Sequence, residues 1–470
     1  MTDAPSYHVI VIGGSMAGLL AAAVMAERAK VTIIEADSLP EGPHARERLP
    51  QARHVHVLWS GGARAIEEIL PGVTKGWLEA GAMRRNLPTD LVTMTAQGWI
   101  PRYGPQQYNI SCTRDRLDWV VRRHVAALDG VSILERSRVR GLEGTAGEVR
   151  GVRVDTPEAT GHFLAADLVV DASGSNSRAR AWLESLGVTG IKRAHVDSGL
   201  VYASRMFEAP EGAHRMGFPI VNVQSDPGDP VPGKTATIVP VEDGQWQVTL
   251  SGTRGGEPTA DPEEFIRFAR DIRDPVVGDI LAGKQPLSDI TLWPGTANRR
   301  NYYEKAELPR GFFAIGDSVA TYNPLYGQGM TVAARGLLEV RKVLRSRGLG
   351  DPAFGRRAQR AIAPIVGDAW ALATSQDCLY PDARGMSPRP GSSLLNAYVN
   401  RLVTGATTNP ASTGDFLRVI TMSERPADWL RPGVVWRVLR ATSRGALTAP
   451  PLTVEERAVA GLQDAQLRQP

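Results

Sequence analysis

The sequence predicts an α/β protein whose parallel sheet is interrupted by an antiparallel one. Three observations lead there. First, a β-branched run, Tyr7 to Ile12, is followed by the glycine turn Gly13-Gly14-Ser15-Met16-Ala17-Gly18, an alanine-rich helix, Leu19 to Arg28, and a second apolar run, Val31 to Glu35. Strand, helix and strand at that spacing make a βαβ unit, and hence parallel pairing. Second, the pattern changes from Ser198 to strands at Leu200 to Phe207, Thr235 to Val241 and Gln245 to Leu250, with Asp243-Gly244 as a tight hairpin between the last two. Third, the buried-strand signal returns in Phe313-Ala314-Ile315-Gly316-Asp317, so the first domain is discontinuous in sequence.

The remaining elements fit between these. Arg64 to Leu70 and Leu117 to Ala127 carry apolar residues at helical spacing, and Asp167 to Asp171 is a buried strand ended by Ala172-Ser173-Gly174. Ser225 to Gly233 is a breaker-rich loop inside the antiparallel part. From about Arg356 the chain reads mainly as helices, with a Pro/Gly/Ser-rich break at Pro381 to Ser393 and no internal repeat. The expected division is a first domain in three pieces (1–80, 104–190 and 299–350), an antiparallel-sheet domain (81–103 and 191–298) and a helical region (351–470).

Composition narrows the class. A chain of 470 residues with 42% apolar and 22% charged residues can bury a large core. Lys and Arg (54) nearly balance Asp and Glu (50), and a net charge of +4 is too small and dispersed for a nucleic-acid partner. The longest apolar helical run, Ala17 to Ala26, falls short of the roughly 20 residues of a membrane span. Asp3 is acidic and no Lys or Arg precedes the first apolar run, so the basic start of a secretion signal is missing. Cys112 and Cys378 lack metal-ligand spacing and read as buried free thiols of a reducing compartment. The expectation is a soluble, cytoplasmic protein.

The glycine turn carries the first chemistry. In G-x-G-x-x-G the first glycine makes the turn, the second admits a pyrophosphate and the third lets helix and strand pack closely. Gly13 and Gly18 fit, while Ser15 stands in the middle position, small enough and able to add a hydrogen bond. Glu35, about 20 residues on, is placed to accept from the adenosine ribose hydroxyls and disfavours a 2′-phosphate. Far along the chain, Gly316-Asp317, Pro324 and Gly327-Gln328-Gly329-Met330-Thr331 form a strand end, a loop and a helix start. There Asp317 can accept from a sugar-alcohol hydroxyl, and glycines and a helix N-terminus can meet the pyrimidine edge of a flavin. Arg46, Arg48 and Gln51 could reach a pyrophosphate, Arg46 being the preferred candidate. His54 and His56 would share one strand face, but no third ligand is near, and structural hydrogen bonding near a cofactor is the alternative to a metal. Trp246 and Trp370 either line a substrate tunnel or fill the core.

With both ends in view, the sequence resembles the FAD-dependent monooxygenases built on the p-hydroxybenzoate-hydroxylase plan. The matching segments are Gly13 to Gly18 with Glu35, Val170-Asp171-Ala172-Ser173-Gly174-Ser175-Asn176-Ser177-Arg178-Ala179-Arg180, and Gly316-Asp317 through Gly327-Gln328-Gly329. The resemblance implies that Asp317 binds the ribityl chain, that Gly329 and Met330 offer N–H groups to the flavin, that Arg114 lies near the cofactor and that Val139 lies on the strand meeting the adenine. It also implies a Rossmann-like FAD-binding domain with an antiparallel-sheet substrate domain and a helical C-terminal region. A closer resemblance, to the epoxidases of bacterial polyether ionophore biosynthesis of the monensin and lasalocid type, rests on Pro50-Gln51-Ala52-Arg53-His54-Val55-His56-Val57-Leu58-Trp59-Ser60-Gly61-Gly62. Val196-Asp197-Ser198-Gly199, Ser251-Gly252-Thr253-Arg254-Gly255-Gly256 and Asp368-Ala369-Trp370-Ala371-Leu372-Ala373-Thr374-Ser375 support it.

What that implies is an FAD enzyme that epoxidises the alkenes of a linear polyene polyketide through a flavin C4a-hydroperoxide, with molecular oxygen as co-substrate and no catalytic side chain or metal of its own. The protein would supply placement and dryness, within a long apolar cavity. One departure stands out: Ser173 occupies a position where the family has aspartate, which is associated with handling both FAD and NADPH. No second dinucleotide fingerprint is present. NADPH or NADH would then act either directly and transiently or through a separate flavin reductase, and a reductase or carrier protein would be the macromolecular partner. The alternatives are an aromatic hydroxylase on the same fold, a flavin-dependent halogenase (of whose Trp-x-Trp-x-Ile-Pro motif only Trp99-Ile100-Pro101 is present) and a non-catalytic FAD-binding protein.

Overall fold

The computed structural model describes residues 7–386 and 392–462; Asp3 and part of the Pro381–Ser393 break lie outside them. A five-stranded, wholly parallel sheet runs in the order Phe312–Ala314, Leu168–Asp171, His8–Ile12, Lys30–Ile34, Val131–Leu134. Its central strand is fully buried at Val9, Ile10 and Val11, as a strand covered on both faces requires. Helix Met16–Met25 packs against Arg114–Ala126 and Gly329–Arg347. The strand order reverses at His8–Ile12, whose neighbours are the next strand on one side and a much later one on the other. The crevice beyond the strands' carboxyl ends is therefore the natural ligand position.

A small antiparallel sheet, Arg138–Gly144, Val149–Asp155 and His162–Ala165, is inserted between the fifth strand of that sheet and Leu168–Asp171. The second large sheet runs Ala320–Thr321, Thr291–Asn301, Arg193–Glu208, Gln245–Gly252, Lys234–Val241, Ile220–Val223, Leu91–Thr95, Gly98–Trp99, with Arg384–Gly385 pairing Arg193–Glu208. It is antiparallel as expected except at one place, where Ile220–Val223 lies parallel to Leu91–Thr95. The long chain between these two strands allows that crossover, whereas Asp243 and Gly244, at φ 59° and 66°, close the expected hairpin. Trp246, Val248 and Leu250 point to one face and pack with Phe218, Phe265 and Val277; Gln247, Thr249 and Ser251 point to the other.

Three boundaries differ from expectation. Met83–Leu87 pairs with Gln107–Ser111 in a separate three-stranded sheet with Leu58–Trp59, because Arg85 and Leu87 bury there rather than in the large sheet. Strand Thr291–Asn301 crosses the expected 298/299 boundary. The chain after the long helix Phe354–Asp377 forms a small core of Leu402, Val419, Trp429, Val434 and Val438. Residues 447–462 then leave it: Leu447 bridges Trp99, and Leu452 and Ala460 are buried in the sheet's apolar core. No helix among the described residues is long and apolar enough to cross a membrane.

Candidate active site

One cavity of about 1170 Å³ runs from the crevice of the parallel sheet to the open face of the large sheet. That exceeds the roughly 300–1,000 Å³ of a pocket for one small ligand. At its crevice end lie Gly13, Ser15, Met16 and Glu35. Gly13 adopts φ 100°, where a side chain would meet the Ala172 carbonyl at 2.7 Å. Gly18 does not line the cavity; a Cβ there would lie 1.8 Å from the Gly13 carbonyl oxygen, so it sets how closely the helix approaches the turn. The turn's side chain is held in place: Arg114 donates to Ser15 Oγ at 3.1 Å and to Asp118 Oδ1 at 3.0 Å, and Ser15 Oγ donates to Asp118 Oδ2 at 3.2 Å. Arg114 is buried and lines the cavity. The Ser15, Met16 and Ala17 N–H groups have no partner among the described residues, as at any helix start without a capping side chain.

Glu35 accepts from Gly14 N at 2.7 Å and Asp37 N at 2.9 Å, and pairs with Arg46 at 2.7 Å. Arg46 also donates to the Gly14 carbonyl at 3.2 Å. Burial works against its charge, but the neighbouring Glu35, Asp118 and Asp37 hold its pKa above the ordinary value. The guanidinium expected at a pyrophosphate is thus tied to the strand-end carboxylate, with its buried Nε 3.5 Å from Asp37 Oδ2 but making no hydrogen bond. Val139, in strand Arg138–Gly144, lines the same end. Ser173 lies on the wall too; its N–H and Oγ both donate to the buried Asp171.

The far cradle closes the cavity's middle. Gly316-Asp317-Ser318 forms a single 3₁₀ turn at the end of the Phe312–Ala314 strand. The Asp317 carboxylate is open to the cavity and has no hydrogen-bond partner among the described residues. Its position deep in the molecule raises its pKa, against the pull of Arg114 and Arg299. Pro324–Tyr326 makes a second 3₁₀ turn, started by Asn323, whose side chain accepts from Leu325 N at 3.0 Å, and ended by Gly327 at φ 61°. Gln328 is buried with Oε1 unpartnered, and helix Gly329–Arg347 follows, leaving the Gly329 and Met330 N–H groups without partners among the described residues. Pro324, Gly327, Gln328, Gly329 and Met330 all line the cavity.

His54 and His56 also face this space, but not from a strand: they follow the 3₁₀ turn Pro50–Arg53 and precede Leu58–Trp59. His54 Nδ1 bonds Ser204 Oγ at 2.7 Å and His56 Nδ1 the His54 carbonyl at 2.9 Å. Burial pushes the His54 pKa down to about 4 and, aided by the nearby Arg114 charge, that of His56 to about 3. No cluster of three metal-ligating side chains occurs among the described residues.

The walls are of two kinds. Across five strands of the large sheet one polar row runs in register, Thr93, Asn222, Thr237, Thr249 and Ser204; the first four line the cavity, and Ser204 bonds His54, which lines it too. Thr93 donates to Asn222 at 3.1 Å, Asn222 to Thr237 at 2.6 Å, and Ser204 and Thr249 bond at 2.6 Å. Opposite lie Leu372, Leu379, Val403, Phe416 and Trp429 from the C-terminal helices. The expected long apolar cavity has one polar side, because the alternation that buries Trp246, Val248 and Leu250 turns hydroxyl and amide residues of the sheet inward. Trp246 packs on Phe218 at 4.8 Å between ring centroids and Trp370 is buried in the main core, and neither lines the cavity; Trp59, Trp182, Trp293 and Trp429 do. Sequence reading also missed Arg299 and Asn323, which line the cavity. Asn-Pro is a turn-starting dipeptide and signalled Asn323; Arg299 is brought in from a distant element by tertiary contacts alone.

The chain matches the FAD-binding domain family over residues 6–346 and belongs to it, a family of flavoprotein monooxygenases of the p-hydroxybenzoate-hydroxylase kind. It is 31% identical over 434 residues to Protein Rv3254 of Mycobacterium tuberculosis (strain ATCC 25618 / H37Rv), covering 88% of this chain and 89% of that one. Among solved structures it is similar to the flavin-dependent brominase Bmp2 (TM-score 0.65, 15% identity, 92% and 98% of the two chains). It is also similar to PqsL, a probable FAD-dependent monooxygenase from Pseudomonas aeruginosa (TM-score 0.57, 20% identity, 79% and 96%). The Diels-Alderase PyrE3 of pyrroindomycin biosynthesis gives a TM-score of 0.60 at 16% identity, with 88% and 80% covered. At such identities the likeness is one of fold.

Proposed function

We propose that this protein is an FAD-dependent monooxygenase that epoxidises alkenes of a linear polyene polyketide on the way to a polyether natural product. The residues present suit FAD. The cavity wall carries Arg46, Arg48, Arg114, Arg138, Arg140, Arg178 and Arg299 against Glu35, Asp226 and Asp317, an excess of positive charge that favours a pyrophosphate. Glu35 would accept from the ribose, Gly13, Ser15 and Met16 would face the pyrophosphate, Val139 the adenine and Asp317 the ribityl hydroxyls. Pro324, Gly327 and Gln328 would shape the turn against the ring, with Gly329 and Met330 donating to its pyrimidine edge. Arg46 would turn from Glu35 toward the phosphates or go on orienting Glu35. Bound FAD supplies, once reduced, the transfer of one oxygen atom of O₂. The net reaction is alkene, O₂, NAD(P)H and a proton giving epoxide, water and NAD(P)⁺, with reduction either direct or through a separate flavin reductase.

One observation carries the choice of an alkene over a phenol. Phenol hydroxylation is helped by a base that holds the phenolate, and such a group works best with a pKa near the operating pH. The histidines and tyrosines on this cavity are displaced from that range. His54 and His56 are pushed down to about 4 and about 3, Tyr380 is pushed up to about 12, and burial raises Tyr202, Tyr322 and Tyr326. An alkene needs no proton removed; it needs a face presented to the ring, and water kept away. The chain's part is to place the substrate between the polar sheet row and the apolar helices, and to close the chamber. The test is incubation of the protein with FAD, NADH or NADPH, a flavin reductase, ¹⁸O₂ and a trisubstituted-alkene polyketide mimic. Gain of one labelled oxygen as an epoxide is expected; ring-hydroxylated aromatics as the only products across a substrate panel would overturn the reading.

A further inference from the structure

Beneath the turn that would cradle the flavin lies a carboxylate that no role above uses. Asp377, the last residue of helix Phe354–Asp377, is 1% exposed and forms no ion pair among the described residues. Three neutral donors from three places converge on it: Asn298 Nδ2 at 2.6 Å from strand Thr291–Asn301, Asn323 Nδ2 at 2.9 Å, and Tyr326 OH at 2.8 Å. Each donor is held in turn. Asn298 Oδ1 accepts from Asn323 N at 2.8 Å, Asn323 Oδ1 accepts from Tyr202 OH at 2.8 Å, and the Tyr326 carbonyl accepts from Trp59 Nε1 at 3.0 Å. As the acceptor of all three bonds the carboxylate fixes both asparagine amides with their NH₂ groups inward, while burial raises its pKa against the pull of those bonds. The amide oxygens are thereby turned to the backbone of the 323–325 turn.

We propose that Asp377 is a positioning residue for the cofactor, setting the 323–327 turn so that Gln328, Gly329 and Met330 meet the flavin in one arrangement. It rests on the flavin-cradle reading but acts from outside the cradle. The same helix end presents Gln376, Leu379 and Tyr380 to the substrate chamber, so one element orders the turn and walls the substrate. No neutral side chain of this size replaces it. Asparagine would put an NH₂ group against one of the three donors, leaving both buried and unpaired.

The test uses the full chain as Asp377→Asn, read by hydrogen exchange without FAD and by FAD titration. Exchange at Leu325, Tyr326 and Gly327 should rise at least tenfold while strand His8–Ile12 stays protected. FAD should bind at least tenfold more weakly, and the visible band of bound flavin should shift. A protected turn with unchanged FAD binding would overturn the proposal. If Asp377→Asn fails to fold, Tyr326→Phe decides: faster exchange confined to the turn supports the proposal and an unchanged turn overturns it. Loss of the flavin reading would show separately, as wild-type protein that retains no FAD while its turn exchange still answers to Asp377.

Discussion

Gly18→Ala tests the N-terminal half of the site by a single methyl group. The added Cβ would sit 1.8 Å from the Gly13 carbonyl oxygen and 2.9 Å from its carbon, inside the 3.4 Å of ordinary contact. The oxygen cannot retreat: Gly13 N donates to the Ile34 carbonyl at 2.8 Å, and Gly13 itself abuts Ala172. The start of helix Met16–Met25 must therefore move off the turn by about 1.6 Å, the difference between ordinary contact and the clash. Overpacking of that kind costs about 1–3 kcal/mol, and the better helix propensity of alanine returns about 1. The apoprotein should thus lose up to about 2 kcal/mol in urea unfolding. FAD should suffer more, because hydrogen bonds to its charged pyrophosphate are worth about 1.5–3 kcal/mol each and depend on that helix start. Losing one weakens binding roughly 10- to 150-fold. The assay is flavin-fluorescence titration, with Gly104→Ala, where a Cβ meets nothing within 4 Å, as control. Gly18→Ala protein that binds FAD within twofold of wild type would refute the fingerprint reading.

Asp317→Ala removes a cavity-facing acceptor that has no protein partner, so the apoprotein should be no less stable while FAD retention drops about 10- to 100-fold; unchanged flavin content after purification would defeat the ribityl assignment. His54 makes a pH prediction. Its folded pKa, about 4, lies below the 6.5 of the unfolded chain, so the unfolded state binds more protons between those values and stability falls as pH drops through that window. A displacement of that size is worth at most about 3 kcal/mol. His54→Gln should flatten this part of the stability profile, and an identical slope in the variant would contradict the burial of a neutral imidazole.

Much of this was legible in the sequence because the signals are local. Gly13 to Gly18 and Glu35 sit within one βαβ unit, where period and turn chemistry are set by near neighbours. Asp317, Pro324 and Gly327 to Met330 are likewise contiguous, and both groups arrive on one cavity because the parallel sheet brings their strand ends together. What escaped depends on contacts between distant elements. Asp377 lies 54 residues from Asn323 and 51 from Tyr326 along the chain, and its neighbours say only that a helix ends. The polar row Thr93–Asn222–Thr237–Thr249–Ser204 needs the register of five strands, one of which pairs in parallel and belongs to a segment far upstream. Arg46 is expected from the sequence to reach a pyrophosphate, but nothing local shows that Glu35 and Asp37 enclose it.

The two walls also bear on which alkene would enter, within the proposed function. Gln224 and Ser251 face the chamber from the sheet side, and their side chains make no hydrogen bond among the described residues. A plain hydrocarbon lying there would strip their water and return nothing, at about 1–3 kcal/mol for each group left unsatisfied. A polyol would suffer the converse against Leu372, Leu379, Val403 and Phe416. The substrate that avoids both costs is a chain with hydroxyl or carbonyl groups along one edge and an unbroken apolar edge opposite. Neighbouring strands lie about 4.8 Å apart, so oxygens spaced several carbons apart could be read by successive strands while the helices hold the hydrocarbon side. Recognition on the sheet would then fix which double bond stops beside Gly327 to Met330, and the regiochemistry would be set by register along the substrate rather than by a reactive side chain.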